Sequence, residues 1–373
     1  MGNLDLVLKS INTKFKSKIA NTGMIEHTYK KIPFSSPCMN YLTRGGLPRG
    51  RLVEFYGIES GGKTSTTLDI VGNAQKLFKQ EWLDEIAELE AMEKRNKTQD
   101  ARLNDLQADG PQKVLFVDAE WTLDIKWAKK LGVNVDELII IQPDNQSAEE
   151  IFHMIEDITD SGGIGLAVLD SIGVLLSQQE MDKTVEEKTM AGISSALTRF
   201  GKDMTQKIAK NNVLFIGINQ ERDVMNSPCG AKKTVGGKAW KFLCSYRIRF
   251  NKGRFIDEVG KELTNAAENV AGNMVEVSVI KNKVTMPDRR LAKYTLKYKT
   301  GIDVYDDTFT QGLLMGLIEG QGYYTFVFNG ETYKDETDKP LKIQGKANVV
   351  QYFKDNPEFF NDLYEGLNEI IIK

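Results

Sequence analysis

Apolar positions along this chain fall into two rhythms that alternate. Short unbroken runs (Val114–Val117, Leu138–Ile141, Leu166–Leu169 and Val213–Ile218) have the β-branched content and length of buried strands. Stretches with helical spacing separate them. Strands alternating with helices predict a largely parallel sheet flanked by helices, an α/β fold. Tyr246–Phe250 reads as a further strand, and Val275–Ile280 and Leu291–Tyr298 as antiparallel additions. Leu4 to Phe15 has the apolar spacing of an amphipathic helix. Residues 79–112 are highly charged but place Leu83, Ile86, Leu89 and Met92 at helical intervals before Gly110-Pro111. They predict a helical extension or hairpin projecting from the core, with a disordered linker as the alternative. From about Val304 the chain turns to glycine and aromatics and ends in a charged helical stretch. The expected organisation is an N-terminal segment (1–34), a core (35–303) with an insertion at 78–112, and a small α+β C-terminal domain (304–373).

Composition excludes several classes. Apolar residues make up 41% and charged residues 27%, as in an ordinary globular protein. No apolar stretch approaches the ~18 residues of a membrane span, and Asp5 and Lys9 do not suit a secretory signal. Cys38, Cys229 and Cys244 form no close pair, which suits a reducing compartment. The expectation is a cytoplasmic protein with no membrane partner. With only His27 and His153 present, histidine catalysis is not expected.

Between the apolar run Leu52–Tyr56 and the helical run Thr66 to Phe78 lies Gly57, Ile58, Glu59, Ser60, Gly61, Gly62, Lys63, Thr64, followed by Ser65. A glycine-rich turn between strand and helix lets backbone N–H groups and the helix N-terminus surround a polyphosphate. Lys63 is then the cation for the β/γ-phosphates and Thr64 a ligand of Mg²⁺, which predicts ATP and Mg²⁺ as cofactors. Asp170 ends an apolar run and suits the second metal-side carboxylate. Glu120 follows another and suits the group that orients or deprotonates water. Gln220 ends a third, where an amide can sense the γ-phosphate.

Net charge is −3, yet nine basic residues face two acidic ones between Glu221 and Arg254. Such an island can bind phosphates inside an acidic protein.

These residues carry a resemblance to the bacterial RecA recombinases, from about Ile32 to the C-terminus. The segments are "GGLPRGRLVEFYGIESGGKT", "FVDAEWTLD", "INQERDV", "TVGGKAWKF", "VIKNKV" and "IQGKANVVQYFKDNPE". The divergence between them, the insertion and the missing acidic tail suggest a phage-encoded or otherwise divergent member. The resemblance implies a DNA-dependent ATPase of recombination and repair in the DNA-damage (SOS) response. It would form helical filaments on single-stranded DNA that pair with a homologous duplex. ATP would lie between subunits, with Lys281 and Lys283 reaching a neighbour's γ-phosphate, and Leu4 to Phe15 would pack on the next subunit. Asp124 and Trp127 match positions that contact adenine. DNA contacts fall on a first segment, Gln179 to Met190, and a second with Arg222, Lys232, Lys233, Gly236, Gly237 and Lys238. Ser195 stands where the family has a basic residue, and Arg199 or Lys202 are its nearest substitutes. Two other readings stay open: a ring-forming helicase or motor on the same core fold, and an ATP-gated mediator that loads another recombinase.

Overall fold

The structure, a computed structural model, describes residues 3–14, 29–183, 192–223, 232–264, 269–328 and 330–373. Residues 1–30 form one unit and residues 31–373 another. The first is described by helix α1 (Asn3–Lys14), with Asp5 in its first turn and Lys14 in its last, charges that suit the helix dipole. Phe15, the last residue of the predicted amphipathic helix, lies outside the described residues.

The second unit is built on ten strands: β1 (Leu52–Gly57), β2 (Lys113–Asp118), β3 (Leu138–Ile141), β4 (Ile164–Asp170), β5 (Leu214–Asp223), β6 (Lys232–Thr234), β7 (Tyr246–Ile256), β8 (Gly272–Asn282), β9 (Leu291–Lys297) and β10 (Gly301–Ile302). Their order is β10-β9-β8-β7-β1-β5-β4-β2-β3, with β6 paired to the end of β5. From β7 to β3 the pairing is parallel, and β8 to β10 add antiparallel. This is the α/β architecture that the alternating runs predict. Successive strand residues serve opposite faces. Val114 and Phe116 join the face covered by α2 (Pro37–Thr43) and α3 (Lys63–Glu90). Leu115 and Val117 join the face covered by α6 (Ala148–Asp160), α7 (Gly192–Asn211) and α8 (Gly237–Leu243). Two further helices, α4 (Lys97–Asp109) and α5 (Ile125–Lys130), lie before and after β2.

Helix α3 differs from its expected span. It starts at Lys63 and runs unbroken for 28 residues, through Phe78 into the charged block. The sequence Lys79 to Glu90 holds no glycine or proline and is rich in strong helix formers, so nothing stops the helix where the core ends. Phe78 is its last anchor in the main core, and Gly165 is required opposite, since a Cβ there would lie 2.4 Å from the Phe78 ring. After Glu90 the chain reverses. Asn96 and Gln99 form a capping box at the start of α4, which ends at Gly110 (φ 71°). The disordered-linker alternative is thereby set aside. Leu89, Leu103 and Leu106 make a cluster of their own with Trp82, Ile86 and Met92, and Trp82 Nε1 donates to Leu106 O at 2.7 Å.

Beyond β10, α9 (Val304–Met315), α10 (Lys346–Asp355) and α11 (Pro357–Ile372) pack with a small sheet around Phe309, Phe326, Phe353 and Phe359. This region is tied to the core by buried polar contacts. Ser36 Oγ and the Cys38 amide donate to Asp307 Oδ2, and Tyr364 OH donates to Ser35 O. Burial pushes the Asp307 carboxyl up to about 7, with Asp306 and Asp303 adding to the shift. Its Oδ1 and the Oε1 of Gln311, one turn on, have no partner among the described residues.

Two predictions follow from these contacts. Replacing residues 82–109 by a short Gly/Ser linker removes the hairpin with its own cluster but keeps the Glu81–Arg49 pair. The expected outcome is lower helix content by circular dichroism, a melting temperature within a few degrees of the parent, and unchanged nucleotide binding. Aggregation would mean the cluster belongs to the main core. For Asp307, the folded carboxyl titrates well above its unfolded value near 4. The stability it contributes is full below about pH 4 and lost as pH rises through about 7. Asp307→Asn should therefore gain stability relative to the parent between pH 5 and 8 in paired thermal melts. A constant difference would assign the cluster no titrating carboxyl.

Candidate nucleotide site and nucleic-acid surface

Parallel strands all point their carboxyl ends to one edge of the sheet, and the sequence-predicted groups gather there. Gly57 ends β1 beside Gln220 of β5, and Asp118 and Asp170 face each other at the ends of β2 and β4. That edge is where ligands bind in open α/β sheets.

The loop after β1 depends on missing side chains. At Gly57 (φ 149°) a Cβ would sit 2.0 Å from Phe250 O, and at Gly62 (φ 92°) 2.9 Å from Val275. Gly62 ends the loop as the N-cap of α3, so the first amides of a long helix face the cleft. Lys63 is 7% exposed; its Nζ lies over the loop and donates to Ile58 O at 2.6 Å. Burial lowers its pKa, and Asp170 and Glu120 offset that effect. The loop borders a cleft of about 410 Å³, lined by residues Ser60 to Ser65, Trp127, Lys252, Asn273, Leu296 and Tyr298. Glu59, at the loop's outer turn, is exposed.

Thr64 Oγ1 donates to Asp170 Oδ2 at 2.8 Å. Burial pushes the Asp170 carboxyl up to about 6, against the Thr64 bond, while Glu120 and Asp118 push the same way as burial. A hydroxyl and a carboxylate side by side are hard oxygen donors, the set that suits Mg²⁺ shared with phosphate oxygens and water. Among the described residues there is no cluster of three or more His, Cys, Asp or Glu side chains placed to hold a metal ion.

Glu120 Oε1 accepts from Gln220 Nε2 at 3.0 Å and from Ser171 Oγ. Glu120 sits on a tight turn that Asp118 organises by accepting from the Thr122 and Leu123 amides at 3.0 and 3.1 Å. The next residue, Trp121, has a φ of 56° and anchors its indole on Pro143 O. Asp124 caps α5 through the Lys126 and Trp127 amides, and the Trp127 indole donates to Ser65 Oγ at 3.1 Å. Trp127 is therefore fixed against the first turn of α3. Sequence reasoning missed Asp118, Ser171, Lys252, Asn273 and Tyr298. Tyr298 OH donates to Asn273 Oδ1 at 3.0 Å on the cleft wall. No local spacing marks these two, because strand pairing alone brings the ends of β8 and β9 together. The aspartate in the run that leads to Glu120 was the available signal for Asp118.

Strand β5 runs on past Gln220 and pairs with β6 as a ribbon: Arg222 opposite Lys233, Asp223 opposite Lys232. Lys232, Lys233 and Lys238 are exposed, and Arg222 donates to Gly173 O at 2.8 Å. Gly236 and Gly237 adopt positive φ at the start of α8. The basic island divides here. Arg247 is buried against Glu54, and the half-buried Arg249 is engaged by Glu221, so neither is a free surface cation. Their positions inside a sheet are invisible to a charge count. Arg199 is exposed on α7, 3.9 Å from Asp203. Met190 lies outside the described residues, and the described part of the first segment begins in the short helix Gln178–Met181. Lys281 and Lys283 both reach α8: their Nζ atoms donate to Phe242 O at 2.8 and 3.2 Å, and Lys281 also to Lys241 O. Burial, and Lys283 beside it, pull Lys281 down to about 8.

Comparison with known proteins bears on the whole arrangement. The family model described as the RecA N-terminal domain matches residues 3–84 and 84–303, broken within the projecting hairpin. Protein RecA of Rickettsia bellii (strain RML369-C) is 31% identical over 328 residues, covering 87% of this chain and 79% of that protein. Protein RecA of Wolbachia sp. subsp. Drosophila simulans (strain wRi) is 30% identical over 329 residues, 88% and 77% of the two chains. Protein RecA of Desulforapulum autotrophicum is 29% identical over 328 residues, 88% and 79%. With the match spanning the phosphate loop, the sheet and the ribbon, this chain belongs to the RecA family.

Proposed function

We propose that this protein is an ATP-dependent DNA strand-exchange recombinase of homologous recombination and repair. Its subunits assemble on single-stranded DNA as a helical filament that pairs with a homologous duplex. The observation that carries the proposal is the Gln220–Glu120 hydrogen bond at the root of the β5–β6 ribbon. Strand β5 joins a group at the nucleotide edge to the exposed Arg222, and its pairing with β6 sets Lys232 and Lys233 beside it, so nucleotide state and nucleic-acid contact share one ribbon.

The residues divide the work. Loop amides from Gly57 to Thr64, with Lys63, bind the polyphosphate. Trp127 and Asp124 hold the base against the cleft, with Tyr298 opposite; stacking needs only an aromatic face. Thr64 and Asp170 would hold Mg²⁺, which would supply positive charge to the phosphates. Glu120 takes the proton of the attacking water, and Gln220, bonded to it, registers the γ-phosphate. Lys281 and Lys283 supply positive charge to a neighbouring subunit's nucleotide. DNA is held mainly through its phosphates, because the described part of the ribbon carries no aromatic side chain for stacking.

Electron microscopy of the full chain with ATP and single-stranded DNA tests the assembly. Glu120→Gln keeps size but cannot accept a proton, so hydrolysis should fall ~10²-fold or more while ATP still binds. That variant should hold long helical filaments in plain ATP. Closed rings would replace the recombinase reading with a motor, and normal hydrolysis would remove Glu120 from its role. Neutralising Lys232 and Lys233 together should weaken single-strand binding for all sequences alike. It should also reduce the log–log salt slope by up to about 1.4, at roughly 0.7 per phosphate contact. An unchanged slope in salt titrations would make both lysines solvated surface.

A further inference from the structure

Beneath the phosphate loop lies a hydroxyl relay that the chemistry above does not use. Tyr294, on β9, is 2% exposed, and its OH meets Thr66 Oγ1 in the first turn of α3. Thr66 Oγ1 donates its own proton to Gly62 O at 2.7 Å. A threonine hydroxyl has a single proton, so Tyr294 must be the donor to Thr66. Burial pushes the pKa of the phenol far above its ordinary value, which keeps that proton in place. The Gly62 carbonyl thus accepts twice, from Thr66 Oγ1 and from the Thr66 amide at 2.9 Å. Tyr294 pairs with Val275 across β8 and β9, and a Cβ on Gly62 would meet both, Val275 at 2.9 Å and the Tyr294 hydroxyl at 3.5 Å. The floor under the last loop glycine is therefore this strand pair.

A trans peptide is planar, so the carbonyl of Gly62 and the N–H of Lys63 point in opposite directions. Fixing the carbonyl downward, toward Thr66, fixes the Lys63 amide upward, toward the cleft. We infer that Tyr294 is a positioning residue for the phosphate loop, acting through Thr66 and the Gly62 carbonyl to aim the Lys63 amide at the nucleotide's phosphates. The inference rests on the reading of this loop as the nucleotide site. It adds a determinant contributed by the antiparallel part of the sheet, remote in sequence from the loop.

The test uses the full chain, without DNA, and measures magnesium-ATP affinity by calorimetry well below the melting temperature. Tyr294→Phe keeps the ring and removes the donor; losing one such bond corresponds to about a five- to tenfold weaker Kd. Thr66→Val should show a similar loss, Thr66→Ser should keep the parent affinity, and the double variant Thr66→Val/Tyr294→Phe should be no worse than either single within about twofold. A purely structural bond would lower melting temperatures and leave these affinities alone. Parent-like affinity in Tyr294→Phe overturns the inference, as do multiplied losses in the double variant. If Tyr294→Phe does not fold, the Thr66→Ser and Thr66→Val pair decides: equal affinities overturn it. Lys63→Ala separates the two levels. Binding lost there but retained in Tyr294→Phe removes the relay alone, whereas binding retained in Lys63→Ala removes the loop as the nucleotide site and the relay with it.

Discussion

One buried carboxylate holds together the strands on which the site depends. Glu54, at the middle of β1, has no solvent exposure; it accepts from Asn219 Nδ2 on β5 at 2.9 Å and from Arg247 Nε on β7 at 2.5 Å. These are the two parallel neighbours of β1, so a single side chain ties the register of three adjacent strands. Arg247 also lies over the Tyr56 ring at 4.4 Å, and Asn219 reaches on to Val235 O, beyond β6. Removing one member of such a buried ion pair leaves an uncompensated charge, at a cost of about 3–5 kcal/mol. Apolar residues of the same volume would pack without that risk, but they would not choose a register. Gly57, Gln220 and the Phe250 carbonyl against which the loop closes sit where the parallel pairing of those three strands ends, so a slip of one residue would separate them.

The fold was legible where elements are buried on both faces. Continuous apolar runs such as Leu166–Leu169 mark parallel strands with little ambiguity, because no polar face interrupts them. The glycine pattern from Gly57 to Gly62 was legible for a related reason: only a backbone that approaches another backbone closely needs it. Helix α3 was read too short because the end of a core contact was taken for the end of a helix. Leaving the core does not stop a helix whose sequence contains no breaker.

Within the site, residues that follow a strand end could be read from sequence, and residues brought in by pairing could not. Glu120, Asp170 and Gln220 each close an apolar run. Tyr298 and Asn273 enter the cleft only because β8 and β9 join at that height, a fact carried by register rather than motif. The basic island shows the opposite error. Charge counting gives Arg247 and Arg249 the same weight as Lys232 and Lys233, although Arg247 is buried on Glu54 and the half-buried Arg249 is engaged with Glu221. Exposure, not the number of cations, decides which of them can meet a polyanion.

Lys281 and Lys283 already have work inside their own subunit, at the carbonyl end of α8, where cations are favoured by unpaired acceptors and the helix dipole. A lysine that reaches into a neighbour has to give up that cap first. If subunits associate through these side chains as proposed, association is an exchange of partners, and its strength is the difference between two contacts. The helix capped in this way is the seven-residue helix that starts at Gly236–Gly237 beside the ribbon, so its two ends lie about two turns apart. In that reading, joining subunits and uncapping this helix become a single equilibrium, with the lysines of the free subunit occupied by its own carbonyls.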